Sequence, residues 1–316
     1  MQITCKDRST KKEKVIELAD NASGLPIQRQ RWTFKNGKTL VDNELQSQNV
    51  TDNTCLLIKD LGMQVSWRLV FIIEYLGPIL IFPFARLINI NRPLTFIQKL
   101  GYLCIMIHFI KREFESVFVH RFSKSSMPFK RLPINCFHYW ILCGVMISYQ
   151  LFSKNYTCYL ENHKYIAVIL FIAFLSTEIM NFLTHLVLKK LRKPESTTRG
   201  IPYKFGFDYV SCANYFWEAL SWIIFSLIIN TTNAWLFTII SVVQMYIWAK
   251  KKHCLYKKEF ANYPPTGAQF KLTSSKRVLV GHTTSGGPAL TSFSQSPSGF
   301  NNPISQDLIG IVLTVF

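Results

Sequence analysis

The chain has 316 residues and a formal net charge of +18, with 49% hydrophobic residues and only 17% charged ones. Soluble chains carry about 25% charged residues, and a mean hydropathy of +0.15 is too high for a disordered or nucleic-acid-binding chain of this basicity. The composition therefore indicates a membrane protein whose Lys and Arg residues flank its apolar spans. The eight cysteines show no CxxC or metal-ligand spacing, so neither a secreted disulfide framework nor a metal site is expected.

Residues 1–60 are polar and mixed, and they predict a small module of strands with one helix. Met1–Cys5 and Trp32–Phe34 alternate like strands, and Leu56–Ile58 is a last short strand. Lys11–Ala22 has a helical pattern of apolar residues. Because this predicted helix follows the first strand almost directly, the second strand of an opening hairpin is expected to be missing.

Residues 61–265 carry the membrane segments, and no cleavable signal peptide is expected at the start. Each apolar segment has about the 20 residues that a hydrocarbon core of ~30 Å requires. The six predicted helices cover 65–86, 95–114, 136–153, 164–188, 208–230 and 233–250. A seventh span, or a re-entrant element near 115–135, is left open by the pattern.

The distribution of basic residues predicts the orientation. Lys and Arg cluster after the second and fourth predicted helices and at the end of the sixth, whereas 154–163 and 230–233 carry almost none. Positive-inside counting therefore places both termini in the cytosol. Residues 266–316 are dominated by Ser, Thr, Gly and Pro and are expected to form a disordered, atypical tail.

Polar residues recur at helical spacing inside the apolar segments. At about 100° per residue, those of three predicted helices each share one face. The faces consist of His108, Lys111, Arg112 and Glu115; of Glu178, Asn181, His185, Lys189 and Arg192; and of Ser211, Asn214, Glu218 and Ser221. The sixth helix ends in Gln244, Trp248, His253 and Tyr256, of which the last two are three residues apart and so neighbours. A charged residue at mid-helix costs about 2.5 to 3.5 kcal/mol on insertion scales. These faces and Glu74 are therefore expected to converge on one interior cavity open to the cytosolic side.

Each polar residue taken alone has a structural explanation. A single Asn or His in a membrane helix commonly links two helices, and Lys189 or Arg192 alone would be a snorkelling residue. The agreement of several faces favours a basic cavity for an anionic ligand with an apolar portion, such as a phosphorylated cofactor beside a lipid-like substrate. The pattern by itself names no reaction.

Longer motifs carry a resemblance to a known family. Val210-Ser-Cys-Ala-Asn-Tyr-Phe-Trp-Glu-Ala-Leu-Ser-Trp222 and the segment from Gln244 to Phe260, followed by Asn262-Tyr-Pro-Pro265, resemble the steroid 5-alpha-reductase family. Asp60-Leu-Gly-Met-Gln-Val-Ser-Trp67, Glu74-Tyr-Leu-Gly-Pro78 and Phe118-Val-His-Arg-Phe-Ser123 are closest to its very-long-chain trans-2,3-enoyl-CoA reductase branch. The resemblance covers residues 1 to about 265 and implies an α-helical multi-pass membrane bundle with a small N-terminal ubiquitin-like β-grasp domain.

The resemblance implies an endoplasmic-reticulum enzyme that performs the last step of very-long-chain fatty-acyl elongation. NADPH would deliver hydride to C3 of a long-chain trans-2-enoyl-CoA, and an acid would protonate C2. The expected surroundings are membrane lipid and the other elongation enzymes. The negative charge that develops on the thioester oxygen requires a hydrogen-bond donor, and the enolate carbon requires an acid.

By the same resemblance, Tyr215 is the candidate proton donor or oxyanion stabiliser. Glu74 matches a carboxylate near the substrate carbonyl and could donate only if burial keeps it protonated. Further positions match dinucleotide contacts of the steroid-reducing relatives, and two arginines are candidates for holding phosphates. These cofactor residues are Asn181, Arg192, Asn214, Glu218, His253 and Tyr256, with the arginines Arg112 and Arg121.

The chain departs from the family pattern at three places. A His-Tyr pair of the family reads His108-Phe109, the basic residue after His253 is replaced by Cys254, and the tail is unrelated. These departures keep open a catalytically inactive membrane scaffold, and reduction of a steroid or polyprenol enone is a second alternative. A Rossmann dehydrogenase lacks support because there is no GxGxxG. A transporter lacks support because no internal repeat is visible.

Overall fold

The computed structural model describes residues 2–7, 13–17, 26, 29–34, 55–122, 126–191, 200–260 and 263. The described part divides into two compact units, one formed by 1–74 with 122–136 and the other by 75–121 with 137–316. The helices at 67–88 and 129–151 each contribute residues to both units.

The first unit contains a four-stranded sheet. Its strands are β1 (Gln2–Asp7), β2 (Glu13–Glu17), β3 (Gln30–Phe34) and β4 (Cys55–Asp60), in the order β2-β1-β4-β3. The central pair β1 and β4 is parallel, and both outer pairs are antiparallel. Three predicted strands are thereby confirmed. At one end of the sheet Arg29 forms an ion pair with Asp60.

The helix predicted for Lys11–Ala22 is wrong for Glu13–Glu17, which is a strand. It pairs antiparallel with β1, with Thr4 opposite Val15 and Ile3 opposite Ile16. β-Branched Val and Ile favour extended backbone, and cross-strand pairing overrides a weak helical pattern in so short a segment. The hairpin strand that was expected to be missing is therefore present. The rest of the predicted helix lies outside the described residues, as does the tail 266–316.

A second, two-stranded sheet completes the first unit. Strands β5 (Gln64–Ser66) and β6 (Ser126–Pro128) pair antiparallel, with Val65 opposite Met127. Val70, Met127 and Leu132 form a buried core against this sheet. The segment near 115–135 accordingly contains a sheet strand and the start of a helix within its described residues, so the seventh span that the sequence left open is absent from them.

The described residues form six long helices, which overlap the six predicted segments. They are α1 (Trp67–Ile88), α2 (Phe96–Phe114), α3 (Phe129–Leu151), α4 (Lys164–Leu191), α5 (Ala213–Ile229) and α6 (Thr232–Glu259). Wider helical turns closed by i→i+5 hydrogen bonds occupy Glu115–Val119, directly after α2, and Phe137–Val145 inside α3.

Local sequence explains several helix ends. Thr95 and Gln98 form a capping box at the start of α2, each side chain bonding the backbone of the other residue. Thr231 caps α6 by accepting a hydrogen bond from the backbone N–H of Ala234. Asn230 ends α5 in the left-handed conformation, with φ 44°, which asparagine tolerates better than most residues. The predicted start of α5 at 208 is wrong, because the helix begins at Ala213 and leaves Ser211 in the preceding turn.

Within the part of the chain that the structure describes, four helices are long and apolar enough to cross a membrane. These are α1, α3, α4 and α6, whereas α5 is a shorter apolar helix. The helical membrane architecture is thereby confirmed in its coarse form. The number of six spans stays a prediction, since α2 carries Lys99, Lys111, Arg112 and Glu113 within its length.

Close packing between α2 and α5 depends on a glycine. Gly101 lies on α2, and a Cβ added there would come within 2.4 Å of Ile229 Cγ2 at the end of α5. Ile229 is itself fully buried. The absence of a side chain at Gly101 therefore sets the approach of these two helices.

We expect Gly101→Ala to lower the free energy of unfolding by about 1–3 kcal/mol, because the added methyl group overpacks a filled interior. Thermal unfolding in detergent measures this loss. In an Ile229→Ala background the atom that would clash is gone, so the same substitution should cost much less. An equal cost in both backgrounds would contradict the packing explanation.

Candidate active site

The buried site of the second unit is built around the end of α2. Lys111 donates a hydrogen bond to Asn181 Oδ1 on α4 at 2.6 Å, and its Nζ lies 2.7 Å from Glu178 Oε2. His108 Nδ1 lies 2.9 Å from the other oxygen of the same carboxylate. Because positions 108 and 111 share a face of α2, as 178 and 181 do of α4, the two polar faces meet as predicted.

Arg112 is the second cation of the site and has the largest set of partners. Its Nη1 donates to Glu115 Oε2 at 2.6 Å and lies 3.1 Å from His185 Nε2. Its Nη2 donates to the hydroxyl of Tyr75 at 2.7 Å. Glu218 on α5 approaches Nε to 4.0 Å. A planar guanidinium can satisfy partners in several directions at once, which a lysine ammonium cannot.

The site extends from α4 to α5 through an amide. Asn181 is fully buried, and its Nδ2 donates to the backbone carbonyl of Asn214 at 2.9 Å. Asn181 thus links the Lys111 ammonium to the first turn of α5. Ser221 and Thr177 make a second contact between the same helices at 2.9 Å.

Several polar atoms of the site are buried without a hydrogen-bond partner among the described residues. They include Asn214 Oδ1, both amide atoms of Gln244 and Arg112 Nε. Gln244 lies on α6 and is 3% exposed. An unpaired buried polar atom costs about 1–3 kcal/mol. These atoms therefore mark positions at which a polar ligand would restore the missing hydrogen bonds.

A further polar group lies at the start of α5 and the end of α6. Ser211 Oγ lies 2.8 Å from His253 Nδ1, and Tyr263 donates a hydrogen bond to Ser211 at 2.7 Å. Tyr256 is also buried, and its ring lies 5.4 Å from that of Tyr263. His253 and Tyr256 are thus buried in the second unit, as the sequence predicted.

Tyr215, the predicted acid, lies in the first turn of α5 and is partly buried. Its ring lies 5.9 Å from that of Trp248 on α6. The N-terminus of α5 carries no side-chain cap. The free N–H groups and dipole of a helix N-terminus favour negative charge, so Tyr215 is near a position that suits a developing oxyanion.

Glu74 belongs to the first unit, where it is 2% exposed. Asn135 donates a hydrogen bond to Glu74 Oε1 at 2.6 Å. This predicted carboxylate is therefore buried and paired with an amide donor.

Of the two remaining predicted cofactor residues, one is described by the structure. Arg121 is exposed, and Arg192 lies outside the described residues. A cavity of about 630 Å³ in the second unit lies elsewhere, between the end of α1 and the end of α3. It is lined by Phe84, Arg92, Tyr149 and neighbours and by none of the predicted site residues. The polar faces of α2, α4 and α5 meet through their side chains, whereas one open cavity shared by all the polar faces and Glu74 stays a prediction.

Glu115, His120 and His185 could be taken for a metal site, because one ligand atom from each lies within 4.8 Å of the others. However, the Arg112 guanidinium donates to Glu115 and lies 3.1 Å from His185 Nε2. A cation is thus already present at the carboxylate, and a metal ion there would be repelled by it.

Phe109 stands where the family pattern has a tyrosine. Its ring is fully buried and lies 6.1 Å from Tyr75, 6.1 Å from Tyr139 and 5.9 Å from Trp222. Tyr75 was not among the predicted site residues, although it directly follows Glu74 in sequence. Lys111, Glu178 and Gln244 were also not predicted as catalytic or cofactor residues. Their place among the polar residues of the apolar helices was the sequence feature that could have identified them.

Comparison with known proteins decides the family. Residues 125–269 match a family model described as 3-oxo-5-alpha-steroid 4-dehydrogenase. A very-long-chain enoyl-CoA reductase of Dictyostelium discoideum is 42% identical over 244 residues, which are 76% of this chain and 77% of that protein. The chain belongs to the very-long-chain enoyl-CoA reductase family.

Two other relatives carry names of the same kind. A protein of Schizosaccharomyces pombe named as an enoyl reductase is 38% identical over 259 residues, 80% of this chain and 87% of the relative. A trans-2,3-enoyl-CoA reductase-like protein of Bos taurus is 32% identical over 250 residues, 72% of this chain and 67% of the relative. The resemblance inferred from the motifs is thereby confirmed, and with it the class of oxidoreductase at the level of the family.

We expect Arg112→Lys to lower the free energy of unfolding by about 1–3 kcal/mol, since one ammonium leaves buried partners of the guanidinium unpaired. Arg92→Lys is the matched control, because the Arg92 side chain donates hydrogen bonds of 3.1 Å to Asn89 Oδ1 and 3.4 Å to the Phe152 carbonyl and contacts no carboxylate among the described residues. Thermal unfolding of both variants in detergent makes the comparison. Equal losses would show that Arg112 is not the centre of the site.

Proposed function

We propose that this protein reduces the 2,3 double bond of long-chain trans-2-enoyl-CoA with NADPH, as the last step of very-long-chain fatty acid elongation. The observation that carries the proposal is the buried polar site on α2, α4, α5 and α6, which contains two cations and unpaired amide atoms inside an apolar bundle. The names of the relatives support the enoyl-CoA substrate.

The residues present fit the proposed dinucleotide. Asn214 Oδ1 and both amide atoms of Gln244 lack partners among the described residues, and they match the donors and acceptors of a carboxamide such as that of nicotinamide. Tyr256 and His253, both buried on α6, offer the dinucleotide an aromatic ring and an imidazole. Lys111 and Arg112 are the two cations of the site, and each is paired with a buried carboxylate. When bound, NADPH supplies the hydride that adds to C3.

The chain's own groups then account for the remaining demands of the reaction. The Tyr215 hydroxyl donates a hydrogen bond to the thioester oxygen or a proton to C2, assisted by the N-terminus of α5. Glu74, buried and held by Asn135 in the first unit, is the second proposed catalytic residue and rests on the family resemblance. The apolar surroundings exclude water, which strengthens each of these electrostatic contacts.

The proposed setting is the endoplasmic-reticulum membrane with both termini in the cytosol. The four apolar helices support the proposed location in a membrane, and the basic loops support the proposed orientation of the termini. Membrane lipid and the other elongation enzymes are the proposed surroundings. The sheet order β2-β1-β4-β3 with its parallel central pair supports the proposal that residues 1–60 form a ubiquitin-like β-grasp domain.

Microsomes that contain the chain should oxidise NADPH when given a long trans-2-enoyl-CoA, as absorbance at the nicotinamide band reports. Tyr215→Phe should lower kcat at least 100-fold, because loss of a general acid typically costs that much. Tyr149→Phe is the control, since Tyr149 is 80% exposed. No activity in the parent would favour the inactive scaffold instead, for which the buried Phe109 is the motivating observation.

Replacing Gln244 tests the cofactor site separately from catalysis. Gln244→Leu removes two unpaired buried atoms, so we expect stability to stay equal or rise. The affinity for NADPH, measured by fluorescence titration, should fall about tenfold. Gln98→Leu is the matched control, because the Gln98 amide donates to the Leu151 carbonyl and accepts from Thr95. That variant should lose stability and keep its NADPH affinity, and the opposite pattern would exclude Gln244 from the cofactor site.

A further inference from the structure

Three side chains from separate segments form a hydrogen-bonded chain, of which the proposed function uses only His253. Ser211 lies in the turn before α5, His253 lies on α6, and Tyr263 follows the end of α6. Tyr263 Oη lies 2.7 Å from Ser211 Oγ, which lies 2.8 Å from His253 Nδ1. Ser211 is 4% exposed and His253 is 5% exposed, so water contributes little to these contacts.

The chemistry of the three groups fixes the direction of the hydrogen bonds. Burial raises the pKa of Tyr263, so the phenol keeps its proton, which it donates to Ser211. The single hydroxyl hydrogen of Ser211 then points to Nδ1 of His253, which is the remaining acceptor in the chain. A neutral imidazole that accepts at Nδ1 carries its hydrogen on Nε2.

The other nitrogen of the ring is available to a ligand. Among the described residues no hydrogen bond to His253 Nε2 is found, and the ring makes its remaining close contact with Tyr263, at 5.6 Å between centroids. His253 lies on α6 with Gln244 and Tyr256, which are also part of the buried site. A fixed N–H donor at this place suits an anionic oxygen.

We propose that Ser211 and Tyr263 are positioning residues, which hold the His253 imidazole as an Nε2–H donor to a phosphate oxygen of the dinucleotide. The inference rests on the proposed function for the identity of the ligand. It adds a role for the serine of the turn before α5 and for the tyrosine beyond α6. Without these two residues the ring could carry its hydrogen on Nδ1 and would present an acceptor to the phosphate, which is repulsive.

The first test is direct NADPH binding to the full chain in detergent, without acyl-CoA. Ser211→Ala and Tyr263→Phe should each raise the Kd for NADPH about three- to tenfold. At saturating NADPH the kcat of both variants should stay within about twofold of the parent. Ser226→Ala is the control, because Ser226 also lies buried between α5 and α6, 2.8 Å from Thr238, and should leave the Kd unchanged.

The second test separates positioning of the imidazole from a general structural role. The amide of His253→Gln always offers an N–H donor and needs no partner at Nδ1. In that background Ser211→Ala should change the Kd less than about twofold, whereas a structural role would preserve its full effect. Should Ser211→Ala fail to fold, Tyr263→Phe carries the same comparison. Full additivity with His253→Gln overturns the proposal.

The outcomes also distinguish this inference from the proposed function. A parent chain that binds no NADPH overturns both. A parent that binds and oxidises NADPH, but whose Kd is unaffected by Ser211→Ala and Tyr263→Phe, overturns only the positioning role. As an independent readout, ¹⁵N NMR of labelled histidine, with the His253 signal identified by its loss in His253→Gln, should show hydrogen on Nε2, and hydrogen on Nδ1 alone overturns the proposal.

Discussion

The pairing of buried charges at the end of α2 is the constraint on which the second unit depends. Lys111 and Arg112 are consecutive, and both form ion pairs with Glu115, while Lys111 also pairs with Glu178. Unpaired charges in an apolar interior cost several kcal/mol each. The carboxylates and amides of α4 and α5 must therefore come to the end of α2, and this requirement fixes where the three helices meet more strictly than apolar contacts do.

The same requirement explains why residues predicted to bind the cofactor also hold the helices together. Asn181 accepts from Lys111 and donates to the backbone of Asn214, so a residue predicted to bind cofactor also joins two helices. Asn214 and Gln244 differ from it because their side chains include unpaired polar atoms. A natural fold retains such atoms at a cost in stability, and function is the usual reason.

Much of the helical unit could be predicted from sequence because helix geometry is regular. Apolar length predicted the six helices, and a rotation of about 100° per residue predicted which faces are polar. The pattern could not predict which atoms of residues far apart in sequence meet, such as those of Lys111 and Asn181. Periodicity predicts which side of a helix is polar, but not which other helix packs against that side or at what height along the axis. Ser211 was placed on a helix for the same reason, whereas the chain makes a turn until Cys212. Strand β2 was missed because a segment of five residues takes its conformation from its pairing partner, β1.

The wide turns in α3 have an evolutionary implication. Across Phe137–Val145 the backbone closes larger rings than an α-helix does, so the segment accommodates extra residues without breaking. In an ordinary α-helix an inserted residue turns everything that follows by about 100° around the axis, and the wider turns absorb that rotation. A one-residue deletion later in this segment would restore ordinary winding and leave the residues on either side on their present faces, including His138, whose Nε2 lies 3.2 Å from the Ser241 hydroxyl. Loss of one residue is thus the length change that this helix should tolerate best.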